Sequence, residues 1–270
     1  MQHKIDNDIF KELIRCNRNG YFAITKPEES TRDNLIQINL IKNEMGFRVS
    51  QSIDKSDFKV EVSAEISANN KISTIVDCLV TKDGKSTLYC CFPVYYISSY
   101  ETHQAAYTYY VANLSNLNIE KVIIVRYKNG KDKENKYSEN NFHYENFTKK
   151  VQSHKRQKII NEQIGNLYYH LKNNSTPKFS PFHYCIKPFI CPLKKYCYER
   201  ELGKEENIFN LTDTKFSLML KMYWKGITKI DDIDKRQVLS KRTVMQIDAY
   251  KAKKEITIYK DLYSRYKSLL

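Results

Sequence analysis

The sequence predicts a mixed α/β domain followed by a helical tail. Three observations carry that prediction. Apolar residues recur at helical spacing up to Val49, alternate from Val60 to Ile66, and return to helical spacing beyond Tyr100. Two turn signatures, Asn69-Asn70 and Asp83-Gly84, separate runs rich in strand-forming residues. A short apolar run, Val122-Ile123-Ile124-Val125, follows the next helical stretch, as a buried strand parallel to a neighbour does.

Taken in order, residues 6–25 read as one helix, with Asp6 or Asn7 as N-cap and Ile9, Leu13, Cys16 and Phe22 on its apolar stripe; Pro27 ends it. A second helix begins near residue 34 and buries Leu35, Ile38, Ile41, Met45 and Val49. Val60, Val62, Ala64 and Ile66 then form the core face of a half-buried strand, with Glu61 and Glu65 turned to solvent. Residues 72–81 and 86–96 complete an antiparallel meander. A helix over 100–114 leads into the strand at 122–125, and 128–141 reads as a polar loop. A long helix follows over 150–172, carrying Ile159, Ile160, Ile164, Leu167, Tyr168 and Leu171. From residue 210 the chain reads as helices around a turn at Gly226-Ile227, with Met222 and Trp224 in a small apolar seam.

The 270 residues carry a formal charge of +14, which attracts polyanions, nucleic acid first among them. Richness in Lys and Asn throughout the chain is the plainer source of the same charge. No apolar run approaches the roughly 20 residues that span a bilayer, and MQHKIDNDIF lacks the pattern of a secretory signal. The expectation is a cytoplasmic protein without a membrane partner.

Seven cysteines are present, and three of them, Cys185, Cys191 and Cys197, fall in HYCIKPFICPLKKYCYERE. In a reducing compartment such a group points to metal rather than to disulfides. A fourth thiolate is needed for a four-ligand centre, and Cys16 is the natural candidate; His183 serves instead if the metal is zinc. Spacing alone does not separate zinc from an iron–sulfur cluster.

With Cys16 in FKELIRCNRNGYF and the other three in CIKPFICPLKKYC, the chain resembles the iron–sulfur RecB-type branch of the PD-(D/E)XK nucleases. That branch includes the CRISPR-adaptation exonucleases and the nuclease domain of the AddAB helicase–nuclease. The helical region KFSLMLKMYWKGITKIDDI adds to the likeness, which runs from about residue 8 to 245. The resemblance implies a restriction-endonuclease-like αβββαβ core, a cluster-bearing helical segment and a C-terminal helical appendage. Its boundaries would be 1–205 for the core closed by the cysteines and 206–270 for the appendage. It also implies that Cys16, Cys185, Cys191 and Cys197 hold a structural [4Fe–4S] cluster.

The family's catalytic pattern is an acid on the second core strand and Glu-x-Lys on the third, together holding Mg²⁺ or Mn²⁺ and positioning the nucleophile. Asp77 stands at the first of these positions. Cys90-Cys91-Phe92 stand at the second, so the carboxylate and the lysine are both missing. On the following helix Thr108 takes the place of a family Gln, with His103 and Tyr107 on nearby turns. Glu44, Glu61 or Glu65, with Lys82 or Lys85, are the groups available to restore the missing ones. The resemblance therefore implies a fold kept for binding DNA or a DNA-processing protein, with cutting lost. The alternatives are a metal-dependent nuclease with relocated acids and a zinc-stapled interaction module.

Overall fold

The computed structural model of the chain describes residues 3–27, 33–128, 141–186, 190–204, 207–212, 214–234 and 240–252. It divides into two compact units, Met1–Lys178 and Phe179–Leu270, which places all three clustered cysteines in the second. The first unit is mixed α/β as expected, and among the described residues no helix is long and apolar enough to cross a membrane.

The first unit opens with two helices rather than one. Helix α1 (Asn7–Arg15) is capped by the Asp6 carboxylate, which accepts the amides of Asp8 and Ile9. The predicted 6–25 helix breaks at Cys16, whose backbone is extended (φ −166°, ψ 151°) and whose thiol caps helix α2 (Asn17–Thr25) by accepting from the Asn19 amide. A continuous apolar stripe hides such a break, because both halves bury their faces. Helix α3 (Asp33–Gln51) follows, with Met45 and Val49 fully buried.

Five strands form one sheet in sequence order: β1 (Lys59–Ala68), β2 (Ile72–Lys82), β3 (Lys85–Phe92), β4 (Ile119–Tyr127) and β5 (Phe142–Asn146). The first three pair antiparallel, β4 joins β3 in parallel as expected, and β5 pairs antiparallel with β4. Left-handed Asn69 and Asn70 (φ 54° and 53°) and Asp83-Gly84 (φ 49° and 73°) make the two hairpin turns. Strand β3 stops at Phe92 instead of residue 96, because Pro93 offers no amide to continue the ladder. On β1 the expected alternation fails at Val62, which is 37% exposed; the left-handed Ser63 (φ 52°) next to it redirects this edge strand. Strand β5 was not legible, being short and polar at alternate positions.

Helix α4 (Ser99–Leu114), with a complete capping box at Ser98 and Glu101, connects β3 to β4. Neighbouring Cys90 and Cys91 point to opposite sides of the sheet. Cys91 packs with Met45 and Val49 of α3, while Cys90 faces Tyr107 and Thr108 of α4. The predicted 150–172 helix is divided by Ser153 (ψ 130°) into α5 (Thr148–Gln152) and α6 (His154–Lys172), the latter burying Ile160, Ile164 and Leu167.

The second unit contains α7 (Lys194–Leu202), α8 (Phe216–Trp224) and α9 (Lys241–Lys251) around a core of Phe179, Tyr198, Ile208, Phe209, Met222 and Ile247. Gly226, at φ 84°, ends α8 in a Schellman turn: Ile227 N–H reaches the Met222 carbonyl at 3.0 Å and Gly226 N–H the Tyr223 carbonyl at 2.9 Å. Of the predicted seam, Met222 is buried but Trp224 is 60% exposed.

Candidate functional site

Asp77 sits where the sheet forks. Strands β2 and β3 pair from Lys82↔Lys85 to Cys78↔Tyr89 and then part: β2 continues with β1 to Ile72, and β3 with β4 to Phe92. Asp77 is the first β2 residue beyond the split. Its Oδ2 accepts the Cys91 amide at 2.7 Å, a donor that the ladder would otherwise use. On the other side of the gap the N-terminal segment adds itself to β2: Ile5 N–H meets the Lys71 carbonyl at 2.8 Å, and Ser73 N–H meets the Ile5 carbonyl at 2.9 Å. Ile5 thus lies in the mouth of the fork.

A cavity of about 420 Å³ results, lined by Asp77 and Thr74 of β2, Glu65 of β1, Lys42 and Asn39 of α3, and Asp6 to Asp8. Among the described residues four carboxylates line it, and each has a partner. Asp6 caps α1. Asp8 pairs with the buried Lys11 at 2.8 Å. Glu65 pairs with Lys4 at 2.9 Å. Asp77 pairs with Lys42 at 3.3 Å. The Lys42 and Asp77 side chains are only 10% and 6% exposed, and the Lys42 ammonium stands 5.1 Å from the centre of the Phe92 ring.

Burial opposes charge on Lys42, but the Asp77 carboxylate outweighs it and holds the ammonium above the usual lysine range. Burial raises the Asp77 carboxyl against the pull of Lys42 and the Cys91 amide. On β3, burial, with the nearby Asp77 charge, pushes the Cys90 thiol up to about 12, so it is neutral at physiological pH.

The other sequence-predicted residues divide sharply. Tyr107 is 1% exposed, stacks on Phe10 at 3.9 Å, and places its hydroxyl 2.9 Å from both the Ile5 and Ser73 carbonyls. It bolts the N-terminal segment to β2 and has no proton to offer a substrate. Tyr107→Phe should cost about 1–2 kcal/mol, the effect of removing a buried donor, and chemical denaturation would read it. An unchanged midpoint would contradict the bolt. Thr108 does approach the site, its hydroxyl 3.1 Å from that of Thr74, which donates to Asn7 at 2.7 Å. His103 is held elsewhere, with Nδ1 2.9 Å from the Ser99 carbonyl and 3.0 Å from the Arg156 guanidinium. Burial lowers its pKa, and Arg156 lowers it further.

Among the groups proposed to restore the missing ones, only Glu65 lines the cavity. Glu44 pairs with Arg48 at 2.8 Å, Glu61 with Lys59 at 3.0 Å, and Lys82 with Asp57 at 3.3 Å. Lys85 faces Lys82 across the hairpin. Sequence reasoning missed Lys42, Lys11 and Gln104, the last of which lines a small pocket beside Asp77 and Cys90. The signal for Lys42 was present: it lies on the same helical stripe as Ile38, Met45 and Val49.

In the second unit, Cys185 ends a single 3-10 turn (His183–Cys185), Cys191 is 8% exposed, and Cys197 lies on α7. The Cys191 amide donates to the Cys185 carbonyl at 3.0 Å, folding the segment back on itself. All three thiols act on the hydroxyl of Tyr198, whose pKa burial raises and the thiols raise further, Cys185 most among them. Among the described residues, no three His, Cys, Asp or Glu side chains are arranged for a metal ion. Cys16 belongs to the first unit, where its thiol caps α2 at 3.2 Å from the Asn19 nitrogen.

No family model matches the chain, and no curated protein matches it at a significant level.

Proposed function

We propose that the chain is a PD-(D/E)XK-like protein that has replaced its catalytic cation by an internal ammonium and binds DNA, or a DNA-processing partner, without cutting. The observation that carries this reading is the buried Lys42–Asp77 pair at 3.3 Å, at a fork whose third strand supplies Cys90 and Phe92 instead of a carboxylate and a lysine. Among the described residues lining the cavity, Asp77 and Asp8 are paired with the buried Lys42 and Lys11, which compete with a divalent ion for those carboxylates. The order α3-β1-β2-β3-α4-β4, with β4 parallel to β3, supports the core assignment. The net charge of +14 supports contact with a polyanion. Cys185, Cys191 and Cys197, three thiols on one segment of the second unit, are proposed to supply ligands to the [4Fe–4S] cluster.

The test is a cleavage and retention assay on protein purified without oxygen, using single- and double-stranded DNA with Mg²⁺ or Mn²⁺. The expected outcome is intact DNA bound in a manner that weakens steeply with salt. Degradation that disappears in Asp77→Asn would overturn the inactive reading and favour the alternative, for which Glu65 is the carboxylate positioned to assist. Iron and sulfide analysis on the same sample tests the cluster. One zinc per chain, no iron and no DNA retention would instead make this an interaction module.

A further inference from the structure

We infer that Trp224 is a stacking platform for an unpaired base of single-stranded DNA, with the ammonium groups of Lys221 and Lys225 on the neighbouring phosphates. This rests on the DNA-binding reading above and adds to it the strand form and the surface that takes it.

Trp224 is the chain's single tryptophan and stands, mostly exposed, on the last turn of α8. The opposite face of that helix belongs to the core through Met219 and Met222, and this core closes without the indole. The ring is nevertheless held in place. It meets Tyr223 at 5.3 Å and an interplanar angle of 78°, and Tyr223 packs in turn against Phe179 at 6.0 Å and Phe209 at 6.1 Å. A large apolar ring is thus presented to solvent from a rigid element.

Charge says what covers it. Lys221 precedes Trp224 by three residues and Lys225 by four, so all three share the exposed face of α8. Among the described residues neither lysine is ion-paired. From Thr214 to Ile230 the chain carries four lysines and no acidic residue. A second copy of the chain would set lysines against lysines, which disfavours that occupant. A strand of bases joined by phosphates matches both the ring and the ammonium groups. A duplex matches less, because its bases stack on one another and show only their edges in the grooves.

A single tryptophan makes its own emission the readout. The full chain is titrated with single-stranded oligothymidylate, with a duplex of equal length, and with an abasic strand that keeps the phosphates alone. Emission should start at the long wavelengths of a hydrated indole and be quenched by oligothymidylate, but not by the duplex or the abasic strand. Trp224→Ala should weaken oligothymidylate binding about 5–150-fold, read by the anisotropy of a labelled strand, and leave affinity for the abasic strand unchanged. Trp224→Tyr should keep most of the affinity, since a smaller ring still stacks. Lys221→Gln combined with Lys225→Gln should lower the slope of log Kd against log salt by about 1.4. Unquenched wild type, with oligothymidylate bound equally tightly by Trp224→Ala, overturns the platform and leaves DNA binding elsewhere on the chain intact. Wild type that retains no strand overturns both. Emission that is blue-shifted in the free chain and moves red on dilution shows a second copy on the ring, and that too overturns the platform.

Discussion

Lys42→Met should destabilise the protein by about 3–5 kcal/mol at neutral pH, the cost of leaving a buried charge without its partner. Methionine matches the length of the lysine stem, so the loss is electrostatic rather than a cavity. In the variant, Asp77 keeps the Cys91 amide at 2.7 Å but loses the cation at 3.3 Å. Its carboxyl, already raised by burial, rises further. A folded-state pKa above the unfolded one favours folding when the group is protonated, so that contribution grows as pH falls through the folded value. The deficit of Lys42→Met relative to wild type should therefore shrink on acidification. Urea unfolding near neutrality and in mild acid measures it, and an equal deficit at both would refute the pairing. Adding Asp77→Asn removes the buried charge as well, and the double variant should regain much of the loss.

Gly46→Ala is the second large effect. A Cβ at Gly46 falls 2.2 Å from the Asp77 carbonyl oxygen and 2.8 Å from its carbonyl carbon. Both atoms belong to the backbone of the strand, so no side chain can swing aside, and α3 itself has to move. Alanine favours a helix interior over glycine by about 1 kcal/mol, yet the overpacking should dominate and cost about 1–3 kcal/mol net. The displacement also pulls Lys42 from Asp77, one turn away on the same helix. Gly165 provides the contrast. It lies inside α6 with nothing within 4 Å of its Cβ position, and Gly165→Ala should stabilise by about 0.4–1 kcal/mol. Thermal unfolding of the two variants side by side distinguishes close helix–strand approach from ordinary helix propensity. If Gly46→Ala were stabilising too, the close approach would be absent.

These two positions also bear on the proposed function. The pair formed by Lys42 and Asp77 closes the fork electrostatically, and Gly46 lets α3 come near enough for the lysine to reach. An active metal site in this cavity would require that pair to open. Lys42→Met provides the route to ask whether a divalent ion then binds, because it removes the resident cation while leaving Asp77, Asp8 and Glu65 around the same cavity.

Much of the first unit was legible from local chemistry alone. The hairpin turns follow from Asn69-Asn70 and Asp83-Gly84, residues that tolerate left-handed backbone. The Asp6 cap and the apolar strand around Ile124 were readable in the same way. What depends on a single atom or on distant residues was not. The break at Cys16 turns on one residue's backbone within an unbroken apolar stripe. Strand β5 exists because β4 offers it an edge. The site shows the same division. Asp77 was singled out by its place on the second strand, and the apolar character of Cys90-Cys91-Phe92 on the third was visible in the sequence. That Lys42 neutralises Asp77, that Tyr107 is a structural bolt, and that Ile5 pairs beside Ser73 were decided only by tertiary structure. Side-chain periodicity and turn chemistry act over a few residues, and the sequence alone determines them. Which charge meets which is set by the approach of segments 35 or more residues apart, Lys42 to Asp77 and Ile5 to Tyr107, and no local pattern records it.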